Sequence, residues 1–274
     1  MVNNTETYWD VDGTSLHTYA WSIETMGGIA LPNFRGEDIT IPGQPGQTWV
    51  PKQPDSRILT LAMWLRGTAD GAGAFASTKN LYQSAYNNLV RLLWTPGRQF
   101  DLTKRFYDGG VLKTAVAKGE FAGGLAPRQF GNSAGKCTID IKLADPYFYE
   151  TAFNSVNLAA GNNSVLVAGN APTSNIQVNV VGPRVNPKLI NSTMGVEFTY
   201  PRSLLTSETA SIFVRTYDAS ELSGGAGTAF DTSSWVIHAG ATQWLVMKPG
   251  TNTINLSSTS GIGTVQLQHK AAWV

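Results

Sequence analysis

Residues 176–191 read IQVNVVGPRVNPKLIN. Ile176, Val178 and Val180 alternate with Gln177 and Asn179, the two-residue period of a strand with one buried face. Gly182-Pro183 and Asn186-Pro187 are turn steps, because proline fixes φ and cannot donate to a ladder. A second short apolar run follows at 187–190. The stretch predicts two short strands joined as a hairpin. The rest of the chain beyond residue 155 has the same texture. Alternating runs at 164–168, 176–181, 187–190, 195–199, 210–217, 234–238, 243–247, 252–256 and 263–269 are separated by Gly-Asn, Gly-Pro, Asn-Pro, Gly-Gly and Pro-Gly turns. No helical period interrupts them. That pattern predicts an antiparallel β-sandwich or jelly roll over residues 156–274.

The first half is mixed. Tyr8–Thr14 reads as a strand entering an Asp12-Gly13 turn, and YAWSI at 19–23 alternates again. RILTLAMWLR at 57–66 is apolar on both faces, which predicts a central strand covered on both sides. Between them, residues 27–54 are dense in Gly and Pro, with one short strand expected at 38–41. So long a connection without regular structure is unusual in a compact domain unless it has a task. Leu81, Ala85, Leu89 and Leu92, with Tyr82, Tyr86 and Leu93 beside them, recur at helical spacing and predict one amphipathic helix over 78–95. Pro96-Gly97 stops it. Strands are expected at 98–105, 111–118 and 136–143. The first domain is expected to span residues 1–150, with a joint at 150–155.

Bulk composition narrows the function. The chain has 274 residues, 42% hydrophobic, with a net charge of +1 and charged residues at only 14%. An average soluble domain carries about 25% charge. A surface short of charge suits a protein that buries much of its outside in an assembly. No Lys/Arg run or basic tail marks a nucleic-acid site. The polar start, MVNNTETYWD, is not expected to be a signal peptide, and no run of about 18 apolar residues predicts a membrane span. The single cysteine, Cys137, can make neither an internal disulfide nor a zinc cluster.

Catalytic and cofactor signatures are absent. His17, His238 and His269 are far apart and in no metal-binding spacing. There is no GxSxG elbow and no phosphate-cradling loop at the Gly-rich pieces 67–73 and 223–227. The acid pairs Asp10/Asp12 and Glu37/Asp38 fall at a turn and in a loop, where they stabilise local structure better than they cleave a sugar. The expectation is no enzyme, no cofactor and no metal. Trp235 and Trp244 are the candidate carbohydrate contacts, since an exposed Trp on a sandwich stacks sugar rings. Both lie in alternating strands, where a core position is as good a reading.

Five short pieces, taken in order, carry a resemblance. They are Arg35-Gly36; Ile41-Pro42-Gly43 with Gly46; Asp145-Pro146-Tyr147-Phe148; Gly182 with Asn186-Pro187; and Lys248-Pro249-Gly250-Thr251-Asn252. With LLWTPG closing the helix, they resemble the distal tail proteins, or minor tail proteins, of long-tailed, non-contractile bacteriophages over essentially the whole chain. The resemblance implies a mainly β protein, with a split-barrel-like N-terminal domain carrying one helix and a galectin-like or carbohydrate-module-like C-terminal sandwich. It implies a structural virion protein that forms a ring with itself, typically a homohexamer, at the distal end of the tail. The ring would join the tail tube protein to the tail-tip hub protein, with the tape measure protein as a further neighbour, and would attach adsorption proteins. Assembly would take place in the host cytoplasm. A ring needs head-to-tail contacts that close, and strand edges supply them. The loop carrying Arg35, Gly36, Pro42, Gly43, Gly46 and Trp49 is the candidate ring contact. The alternative implied function is a module that binds host cell-wall carbohydrate.

Overall fold

The computed structural model describes residues 8–40, 42, 45, 47, 52–67, 79–131, 134–216, 218–222, 230–231, 237–239 and 245–274. Two compact units emerge, Met1–Phe148 with Val274, and Tyr149–Trp273. Both are mainly β, with antiparallel sheets and one helix among the described residues, as the sequence predicts.

In the first unit the strands are β1 (Tyr8–Val11), β2 (Thr14–Ser15), β3 (Trp21–Gly27), β4 (Phe34–Arg35), β5 (Gln53–Pro54) and β6 (Arg57–Arg66). Helix α1 (Lys79–Leu93) follows, then β7 (Phe100–Asp108), β8 (Val111–Gly124), β9 (Arg128–Phe130) and β10 (Ala134–Leu143), while β11 (Phe148–Glu150) begins at the last residue of this unit before the chain enters the second. The main sheet runs β2-β1-β7-β8-β10-β6-β3. Strand β6 is an interior strand, next to the edge strand β3 and paired to β10 and β3. Only one of its faces is sealed, however. Leu59, Leu61, Met63 and Leu65 are fully buried, whereas Ile58 is 52% exposed and Thr60, Ala62 and Trp64 are half-buried. A strand apolar on both faces is therefore left with one face only partly covered.

In the same sheet Ile139 and Ile141 stand opposite Leu61 and Leu59, and Leu143, Phe100 and Leu102 are buried with them. Each such side chain contributes about 1.5–3 kcal/mol of hydrophobic stabilisation. Gly119 leaves the space for Phe100, since a Cβ there would sit 3.0 Å from that ring and 2.9 Å from Ile141. The helix buries Tyr82, Ala85, Leu89 and Leu93, with Leu81 and Leu92 only partly covered. The buried stripe is thus turned slightly from the expected one, toward the aromatic ring and the last leucine.

The second unit holds β12 (Asn154–Leu158), β13 (Gly161–Val167), β14 (Ile176–Val181), β15 (Arg184–Val185), β16 (Lys188–Asn191), β17 (Val196–Thr199) and β18 (Ser203–Leu204). It continues with β19 (Thr209–Phe213), β20 (Asp218–Leu222), β21 (Phe230–Asp231), β22 (Ile237–Ala239), β23 (Gly250–Ser257), β24 (Val265–His269) and β25 (Ala272–Trp273). One sheet runs β12-β24-β14-β19-β20-β21 and the other β13-β23-β16-β17-β22. Val178, Val180, Ile212 and Leu267 from the first meet Leu189, Phe198, Ile254 and Leu256 from the second in one buried core. This is a β-sandwich.

The expected hairpin at 176–191 does not form. Strand β14 pairs with β19 and β24, and β16 pairs with β17 and β23, so the stretch crosses from one sheet to the other. Between them β15 pairs with β18, and the Gly182-Pro183 peptide is cis. Two observations account for the crossing. Gly182 runs so close to the chain that a Cβ would lie 1.9 Å from the Leu205 carbonyl oxygen. Arg184 is buried, its guanidinium donating to the Gly263 carbonyl and, at 3.2 Å, to Ser258 Oγ. Contacts remote in sequence hold the crossing open.

Other differences are local. Ile39 forms a lone bridge in place of a strand at 38–41, and the Gly/Pro stretch instead closes as a small ribbon, Phe34 opposite Pro54 and Arg35 opposite Gln53. The run 210–217 ends at Phe213 and turns back into β20, whose sequence DASEL carries two acids and gave no strand signal. At 245–247 the described residues form only a bridge between Met247 and Thr173.

Candidate functional site

The segment from Gly28 to Ile58 gathers large apolar side chains at the surface. Ile29, Leu31, Phe34, Ile39 and Ile58 are all more than half exposed, with Leu31 at 76% and Phe34 at 64%. The segment is nonetheless anchored. A Cβ on Gly28 would lie 2.0 Å from the Ile58 carbonyl oxygen, and its φ of 76° is one that glycine adopts without strain. The Asp55 amide donates to the Asn33 carbonyl at 2.7 Å, and Lys52 pairs with Asp38 at 3.2 Å. Five such side chains on one anchored segment differ from single exposed apolar residues, which are ordinary.

Of the six residues expected at a ring contact, Arg35, Gly36 and Pro42 are exposed, and Gly36 has a φ of 114°. Gly43, Gly46 and Trp49 lie outside the described residues. The sugar candidates Trp235 and Trp244 also lie outside them. The neighbouring apolar residues that carry the surface, Leu31 and Phe34 above all, were not singled out in the sequence. Their signal was available: each sits in a Gly/Pro-rich stretch with no alternation to bury it.

Two further surfaces lie on the first unit. The β7–β8 hairpin turns through Gly109 and Gly110, both at positive φ, and exposes Tyr107, Val111 and Leu112 at its tip. Just past the helix, a cavity of about 330 Å³ is lined by Trp94, Pro96, Arg98, Gln99, Glu120 and Phe121. Trp94 is 60% exposed and meets Phe121 edge to face at 5.8 Å.

The titratable groups are tied into structure. Asp10 is buried against Arg105 at 2.6 Å. Asp12, at φ 46°, accepts from the Asp101 amide at 2.8 Å and pairs with Arg98. Burial pushes the Cys137 thiol up to about 11, which leaves almost no nucleophilic thiolate near neutral pH. Burial brings Arg57 down to about 10, opposed by Asp145, and its guanidinium lies over Phe148 at 5.4 Å. Lys104 is lowered by burial and then by Arg57. In the sandwich, Glu221 is fully buried; Tyr200 donates to it at 2.8 Å and Arg202 at 2.9 Å, one to each carboxylate oxygen. Nothing in the sequence marked this cluster. No group of three or more metal-ligating side chains comes together, and no helix is long and apolar enough to cross a membrane, among the described residues.

No family model and no curated protein matches this sequence. Solved structures do match in fold. Two structures of the phage p2 baseplate in its activated conformation, with Sr and with Ca, align over 98% of this chain and 100% of theirs. Their identities are 9% and 8%, with TM-scores of 0.45 and 0.44. The SPP1 Dit protein, described as a paradigm of the hub adsorption apparatus in phages that infect Gram-positive bacteria, aligns over 97% of this chain and 99% of its own, at 16% identity and TM-score 0.64. Along nearly its whole length, this chain has the fold of SPP1 Dit.

Proposed function

We propose that this chain is a structural subunit of a bacteriophage tail tip, a distal tail protein. The observation that carries the reading is a fold shared with a phage hub protein over 97% of the chain. In this reading copies join head to tail in a ring, a homohexamer, at the distal end of the tail. The ring seats on the tail tube protein, holds the tail-tip hub protein and attaches adsorption proteins at its rim, with the tape measure protein as a neighbour. The exposed apolar segment around Leu31 and Phe34 supports a contact with a neighbouring copy, since such surface is costly to leave in water. The reading assigns the protein no catalysis and no cofactor, and places it in the virion tail after assembly in the host cytoplasm.

The test is mass by light scattering with negative-stain imaging, on the chain alone and mixed with the tube and hub proteins of the same phage. Closed rings near six subunits are expected, and the double variant L31S/F34S should lose them. A chain that stays monomeric with both partners present overturns the proposal.

A further inference from the structure

The cavity of about 330 Å³ past the helix is walled by the turn that links α1 to β7 and by β8. The turn is held in shape. The Arg98 amide donates to the Thr95 carbonyl at 3.1 Å, and the Thr95 hydroxyl donates to the Arg98 carbonyl at 3.4 Å. A wall fixed before a ligand arrives loses less freedom on binding. Two of its side chains, Trp94 and Phe121, meet edge to face with ring planes at 62°. Neither ring is sealed from water, Trp94 being exposed and Phe121 half-buried.

The lining is electronegative. Aromatic faces attract a cation within about 6 Å of the ring centre. Glu120 brings a carboxylate to the same cavity. Its pair with Lys142, at 3.3 Å and with both side chains nearly half in water, is a weak one. The helix end adds to the field. Pro96 has no N–H, so the Leu92 carbonyl lacks the donor of the next turn, and the negative end of the helix dipole falls beside the cavity. Arg98 also lines the cavity, but its charge is met by Asp12, whose other carboxylate oxygen accepts from the Asp101 amide at 2.8 Å. Arg91, in the last helical turn, is exposed and outside the lining.

The chemistry selects the occupant. An anion would face Glu120 and the helix carbonyls, with Arg98 already engaged. A purely apolar group would cover Glu120 and strip its water without replacing it. An alkylammonium group meets neither cost, because its carbon atoms lie against the rings while its charge faces the carboxylate. We infer that the cavity binds an organic ammonium group, the end of a lysine side chain or a quaternary headgroup. The inference uses no residue of the Gly28–Ile58 arm and no contact between copies.

The test follows the indole N–H resonance of Trp94 in the full chain, assigned by its loss in Trp94→Leu. The titrants, at constant ionic strength, are tetramethylammonium, n-butylammonium, Nα-acetyl-lysine methylamide, the neutral neopentyl alcohol and sulfate. A saturable shift is expected with at least one cation. It should weaken about fivefold in Glu120→Gln and about threefold in Phe121→Leu. It should tighten in Lys142→Gln, which frees the carboxylate. Tighter binding of tetramethylammonium assigns a quaternary headgroup, and tighter binding of the lysine amide assigns a side chain. Circular dichroism and thermal melting check the fold of each variant, and Glu120→Gln carries the test should Phe121→Leu unfold. Equal saturation by neopentyl alcohol, a shift with sulfate alone, no saturable shift with any cation, or cation binding unchanged in Glu120→Gln overturns the inference. Because it is read on the chain alone, its failure is separate from a failure to form rings.

Discussion

The arm from Gly28 to Ile58 and the C-terminal sandwich handle apolar residues in opposite ways. In the arm, five large apolar side chains lie at the surface within about thirty residues of sequence. In the sandwich, the apolar alternation points inward into one core, and the exposed apolar residues Phe153, Leu166, Val181, Leu205 and Ile262 are scattered along the chain. A core sealed by two sheets is complete within one unit. The difference lies in where the apolar side chains go, outward from the arm and inward into the core of the sandwich.

The sharpest way to break this contrast is to delete one phenyl ring from each region. Phe198→Ala empties a buried core position, so urea unfolding should show a loss of about 3–5 kcal/mol. Phe34→Ala removes a ring that is already wet, and should shift stability by no more than about 0.5 kcal/mol. Comparable losses would mean that the arm is packed as a core and the contrast is wrong.

Glu221 refines the sandwich side of the comparison. Glu221→Ala removes the carboxylate that accepts from the Tyr200 hydroxyl and from the Arg202 guanidinium. The expected cost in the same assay is about 2–4 kcal/mol, since two charge-assisted hydrogen bonds to a fully buried carboxylate are lost. A change below about 0.5 kcal/mol would show that the cluster contributes nothing net.

His269 gives a smaller, pH-dependent effect. It is buried with no hydrogen-bond partner at either ring nitrogen, and burial holds it below its ordinary 6.5, with Glu150 acting the other way. The folded protein therefore favours the neutral ring, and the unfolded chain takes up the proton first as pH falls. Stability from this group is complete above about pH 6.5 and declines below it until the folded ring also protonates. Melting temperature should fall between about pH 7 and 5, and His269→Leu should flatten that slope. An equally steep slope in the variant would assign it to carboxylates.

The smallest expected effect on stability belongs to L31S/F34S, within about 0.5 kcal/mol per exposed site. Loss of rings without loss of stability would place the arm in the contact. Loss of both would make it part of the fold.

Much of this was legible from residue order, because local periods report which face is buried. The alternation in RILTLAMWLR and IQVNVV gave strands β6 and β14, and the spacing around Leu89 gave the helix. Misreadings arose where remote contacts outweighed local signals. Gly182-Pro183 reads as a hairpin turn, yet Arg184 is held by the Gly263 carbonyl and Ser258, so the chain passes to the other sheet. DASEL has poor strand propensity, but pairing with β19 and the Tyr200–Arg202 partners of Glu221 make it one.

What the sequence by itself determined is the class: mostly β, low in charge, with one helix, no recognisable catalytic motif and a change of texture near residue 150. Those properties are sums over local preferences and composition. Only the tertiary structure decided which strands share a sheet, that one face of β6 stays partly open, and that Asn157, Asn179 and Gln266 stand in one row. These depend on pairing register between segments far apart in the chain, and a shift of one residue would turn every such side chain to the opposite face.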